Sequence, residues 1–149
     1  MVLFDVGFCF VYIAFLLLLP FDISKVMLLI LGFSTGVLVD VFYDTIGIHA
    51  AACTLLAYIR PYVIMFTTPR GGYEANMRLS LQGMGNDWFI PYILILTFIH
   101  HSVLFFLEAI QLDLFLFTLS KAVSSTLFTC VVIVLVQYLF YSSKSRSSY

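Results

Sequence analysis

The strongest constraint on this chain is that its few charges fall in short intervals between long apolar stretches. Five stretches reach or approach the roughly 20 residues a helix needs to cross a hydrocarbon core. They are 2–19, 26–42, 46–66, 89–107 and 122–141. The first is closed by Pro20 and Asp22, and the second is opened by Ser24 and Lys25. The third carries Gly47, His49 and Arg60-Pro61, and is expected to be short or bent. Of the 149 residues, 62% are hydrophobic and 10% are charged, against roughly 45–50% and about 25% in a soluble domain. That balance excludes a soluble globular domain and a disordered chain. Seven Lys+Arg against eight Asp+Glu leave no basic excess for a phosphate backbone, so no nucleic acid is expected as a partner. The first stretch does not read as a cleaved signal peptide. Asp5 stands in place of a basic n-region, and Leu19-Pro20-Phe21-Asp22 offers no small-residue cleavage site. The expected fold class is an all-α polytopic membrane protein, a single helical bundle over residues 1–141.

Alternating spans put Lys25, Arg60, Arg70, Arg78, Lys144 and Arg146 on one side. Asp44, Glu108 and Asp113 fall on the other, with Lys121 as the one basic residue there at most. The positive-inside rule makes the six-residue side cytoplasmic. The expectation is a multi-pass protein of the cell inner membrane, C-terminus inside and, with five spans, N-terminus outside. The interval 67–88 is then a cytoplasmic loop, with turns at Gly71-Gly72 and at Gly83 to Gly85. Its glycines follow no strand and make no nucleotide fingerprint. The tail 142–149 is Ser-rich and is expected to be a disordered cytoplasmic end. The mixed segment 108–121 fits either an amphipathic interfacial helix or an extension of the fifth span. Trp88, Tyr92, Tyr138 and Tyr141 fall where an aromatic belt would place them.

Gly32, Gly36 and Asp40 are spaced by four and form one stripe on a helix. Two glycines so spaced admit a close neighbour, which reads as a helix-packing groove or, less simply, a ligand groove. Asp40 and Asp44 lie near the end of the second stretch. An ionisable residue at membrane depth is a functional candidate and needs a partner. His49 and Lys121 are the two considered for Asp40; otherwise Asp40 caps the turn before Thr45 and Gly47 or faces water. His100 and His101 point about 100° apart on a helix. They cannot chelate one metal from one face, and one of them is expected to face the bundle. A proton relay from them to Glu108 is a further reading. Arg60 is expected to snorkel to headgroups, and Lys121 likewise. Cys9, Cys53 and Cys130 are far apart, without metal or redox spacing, and read as small apolar packing residues. Paired carboxylates without a nucleophile or phosphate clamp give no catalytic set, so neither a metal nor a cofactor is expected.

The run Gly32-Phe33-x-x-Gly36-x-x-x-Asp40, then Gly47-x-His49-Ala50-x-Ala52 and Ala57-Tyr58-x-Arg60-Pro61, resembles the rod shape-determining protein MreD family in its Bacteroidetes-type form. Phe15 to Phe21, His100-His101 with Phe105-Phe106-x-Glu108, and Ser124-Ser125-x-x-x-Thr129 with Gln137-Tyr138-Leu139 fit the same form. The resemblance covers nearly the whole chain. It implies a non-catalytic inner-membrane scaffold of the cell-elongation machinery, acting with MreC, the actin-like MreB and the RodA–transpeptidase synthase pair. It also implies a fold similar to the substrate-binding components of energy-coupling-factor transporters, with about six helices. The family has a helix before the counterpart of 2–19, so a start upstream of Met1 or a lost helix is expected. A peptide reading into Met1 from upstream would establish the former. On this resemblance, the loop 67–88 is expected to touch MreB through Arg70 and Arg78, and the opposite turns to touch MreC. The related fold keeps open a small-solute-binding membrane component, its cavity lined by Asp40, His49, His100 and Glu108.

Overall fold

The computed structural model describes residues 2–3, 7–8, 10–68, 72, 79–109 and 115–145, with 2–3, 7–8 and 140–145 described by backbone alone. Expectations placed on Asp5, Cys9, Arg70, Gly71, Arg78, Asp113, Arg146 and residues 146–149 fall outside these residues, and the side chains of Tyr141 and Lys144 are likewise undescribed. Two dipeptide strands, β1 (Val2–Leu3) and β2 (Gly7–Phe8), pair antiparallel, with Val2 opposite Phe8. Helices follow: α1 (Tyr12–Leu17), α2 (Lys25–Tyr43), α3 (Ile48–Phe66), α4 (Leu81–Met84), α5 (Asn86–Ala109) and α6 (Phe115–Ser145). Four of them, α2, α3, α5 and α6, are long and apolar enough to cross a membrane. This is the architecture of an all-α, multi-pass membrane protein.

The first apolar stretch departs from expectation. Residues 2–19 do not form one helix; they make a hairpin and then the six-residue α1. Gly7 inside the stretch costs a helix about 1 kcal/mol relative to alanine, and it lies in β2. Hydropathy does not separate a buried core segment from a span. Here Phe10, Ile13, Leu16 and Leu17 are buried against the long helices. Non-helical backbone at membrane depth survives only inside protein, and the Phe10 N–H meets the Thr129 hydroxyl at 3.4 Å.

The other boundaries follow local chemistry. Ser24 caps α2 by accepting from the Met27 N–H at 3.3 Å. Pro20 sits just beyond α1, where a helix cannot continue. Trp88 donates its indole N–H to the Thr67 carbonyl at the end of α3, at 2.7 Å, and stacks on Tyr92 at 4.8 Å. The loop 67–88 is shorter than expected, because α4 begins at Leu81 and α5 already at Asn86. At the far end, α6 reaches back to Phe115, so Phe115–Lys121 extends the last span instead of lying on the interface. Its 31 residues make about 46 Å of helix at 1.5 Å per residue, more than the ~30 Å core. α5 lies between α3 and α6.

Asp44 ends α2 in the left-handed region, at φ 54° and ψ 41°, with its N–H on the Asp40 carbonyl. Short polar side chains tolerate this conformation; β-branched ones do not. Asp44→Val is expected to cost about 1–2 kcal/mol in the thermal unfolding of detergent-solubilised protein. Asp44→Asn is expected to leave the midpoint in place.

Candidate functional site

The glycine stripe of α2 lies on α3 of the same chain. A Cβ on Gly32 would stand 2.8 Å from the Ala57 Cβ and 2.9 Å from the Cys53 carbonyl oxygen. One on Gly36 would stand 2.4 Å from the Ala50 Cα and 2.6 Å from the His49 carbonyl oxygen. The second contact is backbone on backbone. α2 can approach this closely only because both positions lack a side chain. The facing positions of α3, Ala50, Cys53 and Ala57, are themselves small and buried. The stripe is therefore a packing face already occupied within the chain.

One turn beyond Gly36, this approach delivers Asp40 to the start of α3. Gly47, the N-cap residue, has no side chain to serve the free N–H groups of the first turn. Asp40 serves them from the neighbouring helix. Its Oδ1 accepts the His49 N–H at 3.0 Å and its Oδ2 the Ala50 N–H at 2.9 Å. Oδ1 also accepts the Thr45 hydroxyl at 2.5 Å and pairs with His49 Nδ1 at 3.0 Å. His49 Nδ1 lies 3.0 Å from Thr45 Oγ1 as well. With the Thr45 proton given to Asp40, the imidazole carries its proton on Nδ1. The carboxylate also faces the positive end of the α3 dipole. Asp40 is 6% exposed and His49 4%, and this network supplies what burial takes away. Of the two partners considered for Asp40, the structure selects His49. Asp44 points away, exposed, and acts as the terminator described above.

Both histidines of α5 face inward, against the expectation that one would. α5 is central, so two of its faces meet protein. His100 turns toward α1 and α3, with Nε2 3.3 Å from the Tyr12 hydroxyl and 3.6 Å from the Cys53 sulfur. His101 turns toward α6. Its Nδ1–H donates to the Thr97 carbonyl at 2.7 Å, and its Nε2 meets the Thr129 hydroxyl at 3.4 Å. Tyr12 bridges the two ends of the cluster: its ring centroid is 6.3 Å from that of His49 and 5.8 Å from that of His100. Among the described residues, His49 Nε2 and His100 Nδ1 have no hydrogen-bond partner. Among them, too, no group of three or more His, Cys, Asp or Glu is arranged to hold a metal ion.

Arg60 contradicts the expected snorkelling. It is 1% exposed and turns into the bundle. Its Nε donates to the Tyr92 hydroxyl at 3.0 Å and its Nη2 to the Leu19 carbonyl. Tyr92, fully buried and not an interfacial belt residue, donates in turn to the Leu17 carbonyl at 2.9 Å. The reason lies in α1. A helix end buried among apolar side chains leaves carbonyls without partners, and the guanidinium and phenol supply the missing donors. Lysine concentrates its donors on one atom and cannot span both acceptors. Arg60→Lys is therefore expected to cost about 1–3 kcal/mol, read as a lower unfolding midpoint.

Glu108 and Lys121 pair with each other at 3.3 Å across the α5–α6 end, and the ammonium sits 4.5 Å from the Phe105 ring centre. Among the described residues no hydrogen bond joins Glu108 to His100 or His101. Its carboxylate side chain is 55% exposed, and exposed pairs are worth about 0–1 kcal/mol. Glu108→Gln should shift stability by less than roughly 1 kcal/mol on that scale. Glu108 and His49 line one cavity of about 150 Å³, with Phe10, Tyr43, Thr45 and Phe105. Asp40 and His100 are not in its walls.

Tyr12 is a residue the sequence did not single out, while Tyr92 and Thr129 were named there only for an aromatic belt and for the resemblance. Tyr12 was hidden in a stretch that reads as a span, and Tyr92 in a position that reads as interfacial. The small residues Ala50, Cys53 and Ala57, at spacings of three and four, were the available signal for the partner of the glycine stripe. Comparisons with protein-family models, with curated proteins and with solved structures find no match to this chain.

Proposed function

We propose that this protein is a non-catalytic membrane scaffold of the cell-elongation machinery, of the rod shape-determining MreD type. In this reading it sits in the inner membrane with its C-terminus cytoplasmic, and links MreC, MreB and the RodA–transpeptidase synthase. The observation that carries the reading is that the glycine–aspartate core of the resemblance acts as one physical unit. Gly32, Gly36, Asp40, His49 and Ala50 meet in a single joint between α2 and α3. A motif used in this way serves shape. The Asp40 carboxylate is turned onto the chain's own backbone.

The solute-binding alternative fits less well. The cavity beside His49 holds about 150 Å³, below the ~300–1,000 Å³ of small-molecule sites, and two of the four residues expected to line it do not. The test is isolation of the C-terminally tagged protein from its own host in mild detergent. Recovery of MreC with the RodA–transpeptidase pair is expected. Recovery of transporter ATPases in their place would overturn the reading.

A further inference from the structure

Two cavities lie end to end along the outer side of the α2–α3 pair, sharing Leu29 and Tyr58 as walls. The larger is an open trough of about 580 Å³, lined also by Phe33, Ala51, Thr54 and Leu55. That volume falls within the range of small-molecule sites. The trough is apolar in chemistry as well as in shape. The Thr54 hydroxyl is already donated to the Ala50 carbonyl at 2.7 Å, and Tyr58 lines both cavities. The smaller cavity, about 80 Å³, is bounded by Lys25 and Tyr62 and continues the trough toward the first residue of α2. There the Lys25 ammonium lies 5.8 Å from the centre of the Tyr62 ring, and among the described residues it forms no ion pair. Lys25 opens one membrane-length helix and Tyr62 stands one turn before the end of the next. This is the level at which headgroups meet the hydrocarbon. An apolar channel at hydrocarbon depth thus ends in a cation and a phenol at headgroup depth.

We propose that the α2–α3 groove is a binding site for an anionic phospholipid. One acyl chain lies in the trough over Ala51, and the phosphate is held by Lys25 beside Tyr62. The charge complementarity commits the site to a lipid and not to a second transmembrane helix, which would leave the ammonium without an anion. The continuity of the two cavities commits it to a molecule with both a chain and a headgroup. The inference does not rest on the elongation reading.

The test is native mass spectrometry of the full chain in mild detergent. It is titrated in parallel with phosphatidylglycerol and phosphatidylcholine of identical acyl chains. A lysine near a membrane surface contributes about 1 kcal/mol toward an anionic lipid, so the wild type is expected to prefer phosphatidylglycerol by about fivefold. Lys25→Gln is expected to remove that preference and leave phosphatidylcholine binding unchanged. Ala51→Phe, at an exposed position of the trough, is expected to abolish retention of both lipids. Trp88 fluorescence during thermal unfolding verifies that this variant is folded, and the Lys25→Gln arm decides the question if it is not. Four results would overturn the proposal. They are equal retention of the two lipids by the wild type, an undiminished preference in Lys25→Gln, and displacement by soluble glycerol 3-phosphate, which would make the site one for free phosphate. The fourth is an Ala51→Phe variant that keeps its lipid but loses a self-association present in the wild type, which would make the trough a protein interface.

Discussion

Gly36→Ala is expected to be the most damaging single-methyl change in this protein. The added carbon would stand 2.4 Å from the Ala50 Cα, 2.6 Å from the His49 carbonyl oxygen and 2.7 Å from the Ala50 nitrogen. All three are backbone atoms, so no rotamer change relieves the contact and the helices must separate. Overpacking typically costs about 1–3 kcal/mol. Here separation also lengthens the hydrogen bonds from Asp40 to the His49 and Ala50 N–H groups, one turn away, so a loss of about 3 kcal/mol or more is expected. Gly32→Ala should cost less. Its nearest neighbour is the Ala57 methyl at 2.8 Å, at a point farther from the cap. Thermal unfolding of the two variants in the same detergent, followed by fluorescence of Trp88, the one tryptophan, gives the order. Equal stability of Gly36→Ala and wild type would refute the close approach.

Asp40→Ala is the second large effect. It leaves four donors without their acceptor: the His49 and Ala50 N–H groups, the Thr45 hydroxyl and the His49 Nδ1–H. Removing one partner of a buried pair costs about 3–5 kcal/mol. Asp40→Asn separates charge from shape. The carboxamide keeps one accepting oxygen but turns a donor toward either the Ala50 N–H or the His49 cluster. It is expected to recover only part of the loss. If Asp40→Asn matched the wild type in unfolding midpoint, the carboxylate would not be acting as a cap.

Much of the bundle was legible because long helices carry long apolar runs. The stretch 26–42 became α2 at Lys25–Tyr43, 46–66 became α3 at Ile48–Phe66, and 89–107 became α5 at Asn86–Ala109. The stretch 2–19 was misread because a segment buried inside a bundle is as apolar as one facing lipid, and length alone did not reveal the break before Tyr12. The glycine spacing pointed to a close approach, since only a missing Cβ permits it, but not to which helix makes it. Arg60 was misread for a related reason. A charge at the end of an apolar run suggests headgroups, yet the demand it meets, the loose carbonyls of Leu17 and Leu19 with Tyr92 as intermediary, comes from an element the sequence did not reveal. The inward turn of both His100 and His101 depends on α5 having protein on two sides, which is a property of the assembled bundle.

The central claim is that the Gly32–Gly36–Asp40 stripe is an internal joint in which α2 caps α3. Amide hydrogen exchange at His49 and Ala50, in isotopically labelled protein in detergent or nanodiscs, tests it most directly. The first-turn N–H groups of a helix ordinarily lack partners and exchange readily. Held by the Asp40 carboxylate, the His49 and Ala50 amides are predicted to be protected to the level of Cys53 and Leu56 in the middle of α3, and to lose that protection in Asp40→Ala. Rapid exchange of both in the wild type, with the middle of α3 protected, would contradict the account.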